Sequence, residues 1–462
     1  MRALVSPRCF SGTLRIPASK SHTIRRLIIA ALSGGVSDID YPLDSLDARS
    51  CAAVSRGLGA EVEEYRSADP RSPNPADEEG KRLLRWRIRG TGGRPGGRSS
   101  GGVRAPVPSG PRRLDAGNSG TTLYLGMAAA ALGSGPFEFT GDGQLRRRSA
   151  APLLEALAGL GVRAESKYGN GCAPLVIQGP WKGGRISLPC PTSQYLSALL
   201  IAAPLAPAGT VTEIDVPLLN ERPYVRMTLA YLAAQGVSCE AKDDLSWFRI
   251  RGGASYTPVN GPVPGDFSSA AFPAAAAAVS GGRVRLLGLD PADTQGDKAF
   301  FDFITEMGCD AEWENHDEWT LTVSCRRPLR GGTFDLNATP DLLPVMAVMG
   351  AFAEGDTALV NAAHARIKET DRIAVMAAEL AKLGVKTTER PDGLVIHGGL
   401  RSGPRPPAAC PAVDGHGDHR VVMALACLAA GAGPLEIDTA ESAAVTWPGF
   451  LELLGAAFRS RP

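Results

Sequence analysis

The stretch Arg366-Ile367-Lys368-Glu369-Thr370-Asp371-Arg372 sets two cations four residues apart with a carboxylate next to the first. On a helix Lys368 and Arg372 would stand one turn apart on one face, with Glu369 at about 100° to them. Like charges so placed repel unless an anion lies between them, so the pattern predicts an anion bound next to a proton donor or acceptor. A second carboxylate, Asp341 in Thr339-Pro340-Asp341-Leu342-Leu343, is the only charge in an apolar neighbourhood. Burial raises a carboxyl pKa unless a cation is near, a common route to a general acid or base. Asp418-His419-Arg420 adds a cation in what reads as the first turn of a helix, where it opposes the helix dipole and is unfavourable without an anionic partner.

More groups of the same chemistry lie upstream. Ser19-Lys20-Ser21 followed by Arg25 combines a lysine, a hydroxyl donor and an arginine at a helix start, a reasonable grip on a phosphate. Asn118-Ser119-Gly120 and Thr192-Ser193-Gln194 supply amides and hydroxyls, and Arg146-Arg147-Arg148 follows Thr140-Gly141-Asp142-Gly143. Only one of those three arginines need point inward.

These residues share one kind of position. Each of Lys20, Ser119, Ser193, Ser268, Asp341 and Asp418 lies where a small or acidic polar residue opens an Ala-rich apolar run that ends at glycine. Measured from Ser119, Ser193, Ser268, Asp341 and Asp418 the spacings are 74, 75, 73 and 77 residues, so the chain is an array of one duplicated unit. The openings have the residue types of helix N-caps, and the runs are apolar nearly all round, as in a helix enclosed on every side. Glycines at Gly34-Gly35, Gly133, Gly281-Gly282, Gly355 and Gly431 mark where these helices should stop. A more amphipathic helix follows, then a turn at Leu160-Gly161, Met307-Gly308 or Leu383-Gly384 into a strand. The unit reads strand, buried helix, strand, amphipathic helix, strand pair. Unpaired N–H groups and a partial positive charge at each buried helix start favour an anion. If the starts converge, they form a site for a ligand with several negative charges.

Composition narrows the class. A chain of 462 residues with 44% hydrophobic and 21% charged residues suits a globular enzyme of two or three domains. A formal charge of +1 argues against nucleic acid, and the absence of a long apolar run or signal-peptide core argues against membrane and export. Nine scattered cysteines without a CxxC pair predict free thiols, a cytoplasmic location and no metal cluster. Pro/Gly/Arg-rich segments at 66–81 and 90–111 read as mobile insertions flanking a strand at Leu83 to Arg89, and they account for the longer spacing of 100 between Ser19 and Ser119.

Taken together, Thr192-Ser193-Gln194-Tyr195-Leu196-Ser197-Ala198-Leu199-Leu200, Gly117-Asn118-Ser119-Gly120-Thr121, Lys368-Glu369-Thr370-Asp371-Arg372 and Asp418-His419-Arg420 resemble the 5-enolpyruvylshikimate-3-phosphate synthase family. The resemblance spans almost the whole chain outside the insertions. It implies an α/β (α+β) fold, a two-domain inside-out α/β barrel of six βαβαββ-type repeats, three per domain, with helix starts facing an interdomain cleft. One lobe would be 19–263 and the other 1–18 plus 264–462, the chain crossing near Pro17 to Ser19 and Pro262 to Gly265. Bound anions would draw the lobes together.

The implied reaction is attack of the 5-hydroxyl of shikimate 3-phosphate on phosphoenolpyruvate, with loss of phosphate from a tetrahedral intermediate. No metal or organic cofactor, no nucleic acid and no membrane partner are implied, and the chain is expected to be a monomer. Carried over by motif, Lys20, Ser21, Arg25, Thr192, Ser193, Gln194, Asp341 and Lys368 would hold shikimate 3-phosphate. Lys20, Gly120, Arg148, Gln194, Arg372 and Arg420 would hold phosphoenolpyruvate. Asp341 resembles the base for the 5-hydroxyl, Glu369 the carboxylate that moves a proton at C3, and Lys20 joins them as catalytic.

The chain departs from the family pattern in several places. Val445 stands before Thr446-Trp447-Pro448 where a lysine is frequent, and Glu221 before Arg222-Pro223-Tyr224 where a serine often touches the substrate phosphate. A carboxylate there should turn to Arg222 or solvent. Tyr124 and Ser149 replace a common arginine and proline. The related UDP-N-acetylglucosamine enolpyruvyl transferases carry a cysteine in the loop matching Gly141 to Ser149, which is missing here. A homologue turned to another hydroxy acid, or a non-catalytic binder of a phosphorylated ligand, is the alternative.

Overall fold

The structure, a computed structural model, describes residues 1–6, 8–96, 110–400 and 410–459. Contacts divide the chain into two compact units, Lys20–Val263 and Met1–Ser19 with Pro264–Pro462.

In the first unit the helices are α1 (Lys20–Leu32), α2 (Leu46–Leu58), α3 (Gly120–Ala130), α4 (Ala151–Gly159), α5 (Gln194–Ala202) and α6 (Arg222–Ala234). The second unit holds α7 (Phe267–Ser280), α8 (Ala299–Glu306), α9 (Leu343–Phe352), α10 (Arg372–Lys382), α11 (His419–Ala432) and α12 (Phe450–Leu453). The odd-numbered helices are the Ala-rich ones. Residues of α7 from Phe267 to Val279 are all buried, and small alanine side chains let α7, α9 and α11 pack directly on one another. In the first unit α3 packs on α1 and α5. The even-numbered helices cover the outside with one apolar stripe each, as in α10, where Ile373, Met376 and Leu380 are buried.

The described strands form six four-stranded sheets of one topology. In the sheet of residues 333–396, strand Thr333–Asp335 runs parallel to Thr357–Val360 across α9, the geometry a helical crossover imposes. Gly393–Ile396 then pairs antiparallel with Thr357–Val360, and Thr387–Arg390 pairs on its far side. The βαβαββ unit read from the sequence is this order. Two sheets of the second unit borrow strands from the chain start: Arg2–Val5 lies between Leu435–Asp438 and Ala457–Arg459, and Gly12–Arg15 pairs parallel with Arg283–Leu287.

The Leu/Met-Gly turns end the amphipathic helices as the sequence suggests. Gly161, Gly308 and Gly384 have φ of 84°, 104° and 80°, and the following N–H groups bond back to Leu157, Ile304 and Leu380. A side chain with Cβ is disfavoured there. Gly431 is different: it lies inside α11, which ends at Gly433, and a Cβ on it would come within 2.7 Å of the Val279 carbonyl. It is a packing glycine.

The Pro/Gly/Arg-rich segments are more tightly held than their composition suggests. Asn74, buried, donates to the Pro42 and Leu83 carbonyls at 2.7 and 2.9 Å and accepts from Asp44 N, fixing the middle of 66–81 to the strand that follows. Residues 90–93 bond to the otherwise unpaired carbonyls ending α1, including Thr91 N to Ala31 O and Gly93 N to Leu32 O. Gly92 and Gly93 supply the positive φ that this wrap requires. Residues 97–109 of the second segment lie outside the described residues.

Candidate active site

In the second unit the chemistry gathers around Arg372. Its buried guanidinium makes four hydrogen bonds to three carboxylates: Nη1 to Asp341 Oδ1 at 2.7 Å, Nη2 to Glu369 Oε2 at 2.7 Å, and Nε and Nη2 to Asp418 at 2.8 and 3.3 Å. The second Asp341 oxygen meets Arg420 Nη2 at 2.9 Å. Asp418 also accepts from Thr370 Oγ1 and from Arg420 N, so one carboxylate caps α11 and braces Arg372 together.

The helix expected over Lys368–Arg372 is absent. A 3-10 turn ends at Ile367, and Asp371 caps α10 by accepting from Ala374 N, so Arg372 is the first residue of that helix. Lys368 and Arg372 are therefore not successive turns of one face. The anions that offset the cations come from the chain itself. Asp341, too, is no N-cap; it sits in the 3-10 turn Pro340–Leu342 that leads into α9.

Burial alone would push the Asp341 carboxyl up, but Arg420, Arg372 and Lys368 outweigh it and hold it well below the ordinary carboxylate range. The apolar surroundings read from the sequence are real, and the proviso about a nearby cation decides the sign. Burial would likewise lower Arg372, yet Asp418, Glu369 and Asp341 raise it above its usual value. Both groups are ionised at neutral pH.

In the first unit a second polar cluster forms at the starts of α1, α3 and α5. Lys20 Nζ pairs with the buried Asp47 on α2 at 3.1 Å. Arg25, 2% exposed, donates to Thr228 Oγ1, Ser197 Oγ and the carbonyls of Ser21 and Tyr224, four neutral acceptors that tie α1 to α5 and α6. Burial lowers its pKa to about 10, with Tyr231, Tyr224 and Glu221 pulling the other way. Arg148 donates to Asn118 Oδ1 at 3.0 Å, while Arg146 and Arg147 face solvent. A Cβ placed on Gly120 would lie 3.2 Å from both Arg148 Nη1 and Gln194 Oε1, which locates these two groups at the first turn of α3.

Glu221 turns neither to Arg222 nor to solvent. It is 3% exposed, in the left-handed backbone region at φ 57°, and its Oε2 accepts from Ser193 N at 3.0 Å, Ser193 Oγ at 2.8 Å and Thr192 Oγ1 at 3.2 Å. It thus does for α5 what Ser119, Asp266 and Asp418 do for their own helices, since Ser193 makes no side-chain cap. The exchanges at 124 and 149 also belong together. Tyr124 and Tyr195 stack edge to face, and both hydroxyls donate to the Ser149 carbonyl, at 3.3 and 2.6 Å, next to Arg148.

Of the residues singled out, Lys20, Ser21, Arg25, Gly120, Arg148, Thr192, Ser193 and Gln194 gather in the first unit, and Asp341, Lys368, Glu369, Arg372 and Arg420 in the second. Asp418 was read only as a helix opening, and Asp47 and the true role of Glu221 were not singled out. The hold of Asp418 on Arg372 joins residues 46 apart in the chain, and Asp47 and Glu221 carry no local signal.

The sequence model of the family described as EPSP synthase (3-phosphoshikimate 1-carboxyvinyltransferase) matches residues 6–79 and 99–454. A 3-phosphoshikimate 1-carboxyvinyltransferase of Acetivibrio thermocellus is 45% identical over 445 residues, covering 96% of this chain and 95% of its own. One of Methanothrix thermoacetophila is 42% identical over 460 residues, covering 99% of each. Among solved structures, an EPSP synthase from Acinetobacter baumannii superposes with a TM-score of 0.74 at 26% identity, covering 98% of this chain and 97% of that one.

Proposed function

We propose, because this chain belongs to the EPSP synthase family, that it moves the carboxyvinyl group of phosphoenolpyruvate to the 5-hydroxyl of shikimate 3-phosphate and releases phosphate. The observation that carries this reading is Asp341, ionised and gripped by Arg372 and Arg420 with Glu369 on the same guanidinium.

The addition needs one proton removed from a hydroxyl and one delivered to C3 of the enol, and loss of phosphate takes a proton back from C3, so two carboxylates in different surroundings suit it. Asp341 takes the hydroxyl proton and Glu369 serves C3. With the arginines on Asp341, its basicity is low. Anionic groups of phosphoenolpyruvate drawn to Arg372 and Arg420 would share those cations, and the basicity of Asp341 would rise as the reactant arrives. Lys20, Gly120, Arg148 and Gln194 serve the same reactant, with cations facing the charge that spreads over the tetrahedral adduct. Lys20, Ser21, Arg25, Thr192, Ser193, Gln194 and Lys368 serve shikimate 3-phosphate. Arg25 fits an anion well, since its acceptors are all neutral. The domains proposed are the two compact units, and the chain acts as a monomer.

Phosphate release from the two substrates tests this reading. Asp341→Asn should cut kcat by about 10²–10⁴-fold, the usual contribution of a positioned acid or base. A wild-type chain with no phosphate release, or an Asp341→Asn variant as fast as wild type, would overturn it.

A further inference from the structure

Two cysteines outside both polar clusters stand at the open end of one hairpin. Strands Asp310–Asn315 and Trp319–Ser324 pair antiparallel with Asp310 opposite Ser324, and one further step of that register sets Cys309 opposite Cys325. Directly opposed antiparallel residues have Cα atoms about 4.5–5.5 Å apart, inside the range a disulfide spans. The chain beyond Cys325 stays on that side, with Arg330 N donating to Met307 O at 2.9 Å. The two thiols lie close enough for each to shift the other's pKa, and Cys325 Sγ donates to Arg327 O at 3.4 Å. Both belong to the apolar core of the second unit, Cys309 at 3% and Cys325 at 8% exposure.

We propose that Cys309 and Cys325 form a dithiol redox pair that a peroxide closes to an intramolecular disulfide. The neighbouring Cys309 thiol holds Cys325 below its usual pKa, and Cys325, together with burial, raises Cys309. That asymmetry assigns the roles, because the thiolate is the nucleophile. Cys325 sulfur attacks a peroxide oxygen: an S–O bond forms, the O–O bond breaks, and the departing hydroxide takes up a proton as water. Cys309 sulfur then attacks the sulfenic acid on Cys325, forming S–S and breaking S–O, and its proton leaves with the second water. The two thiols lose two electrons and the peroxide gains them.

The test uses the full-length reduced protein, exposed to hydrogen peroxide without denaturant, alkylated with N-ethylmaleimide, digested and mapped by mass spectrometry. The expected result is a Cys309–Cys325 linked peptide pair, lighter than its parts by two hydrogens and reversed by dithiothreitol. Closing this short loop should also raise the melting temperature by about 5 °C. Cys309→Ser should leave a sulfenic acid on Cys325 that dimedone traps. Full alkylation of both cysteines after peroxide, or linkage of either to another cysteine, would overturn the proposal.

Discussion

Replacing Arg372 with methionine separates its structural role from its role toward the reactant. Methionine keeps much of the aliphatic stem, so packing losses are small and the change is mainly of charge. Three carboxylates lose four hydrogen bonds, and Asp418 loses its one cation among the ion pairs of the described residues. Each contact is worth about 4 kcal/mol at an effective dielectric near 20, but desolvation of the ions offsets much of it. Breaking a buried ion group by removing one member typically costs about 3–5 kcal/mol, and that is the loss expected at pH 7. It corresponds to a fall of about 6–20 °C in melting temperature for a unit of this size.

The pH dependence has a definite sign. In the wild type the Asp341 pKa is depressed on folding, so its contribution is present above the unfolded value of about 3.9 and is lost only as pH falls through the lower folded value. Without Arg372 the remaining buried carboxylates resist ionisation, and protonation relieves them. The variant should therefore recover part of its deficit between pH 7 and pH 5 while the wild type changes little. Urea unfolding at both pH values measures this. A deficit under 1 kcal/mol at pH 7, or one that does not shrink at pH 5, would refute the reasoning.

Two further outcomes follow from the first unit. Glu221→Ser frees Ser193 N, Ser193 Oγ and Thr192 Oγ1 from a carboxylate, so KM for shikimate 3-phosphate should fall about tenfold with kcat nearly unchanged; a higher KM in steady-state assays would mean that the carboxylate assists binding. Gly120→Ala places a methyl 3.2 Å from Arg148 Nη1 and Gln194 Oε1, which must yield by a few tenths of an ångström. KM for phosphoenolpyruvate, which both groups serve, should rise about tenfold, and that for shikimate 3-phosphate, which only Gln194 serves, should rise less; equal effects on both would count against the assignment.

The repeat was legible in the sequence because its signals are local. A cap-type residue, an apolar run and a Leu-Gly turn lie within one unit and recur, and the sheets follow from them. Partnership was not legible, since it links residues far apart in the chain. Nothing near Asp341 reveals that Arg372 and Arg420 will grip it, and the periodicity of Lys368 to Arg372 was outweighed by Asp371, whose carboxylate starts a helix instead of continuing one. Glu221 shows the same limit, as its partners lie 28 residues upstream. The tie between 66–81 and its flanking segments was not legible for a related reason: composition registers few apolar residues but not one buried asparagine that satisfies three backbone groups.

The order in which the ribosome releases this chain bears on how it matures. Residues 2–5 and 12–15 emerge long before the strands they join, at 283–287, 435–438 and 457–459. The segment from Lys20 to Val263 has every strand it needs once it is out, whereas those opening strands must wait, unpaired, for most of synthesis. Loss of the strand at 2–5 or of the one at 457–459 should therefore injure one and the same unit, and the nascent chain depends on keeping those early strands from pairing elsewhere in the meantime.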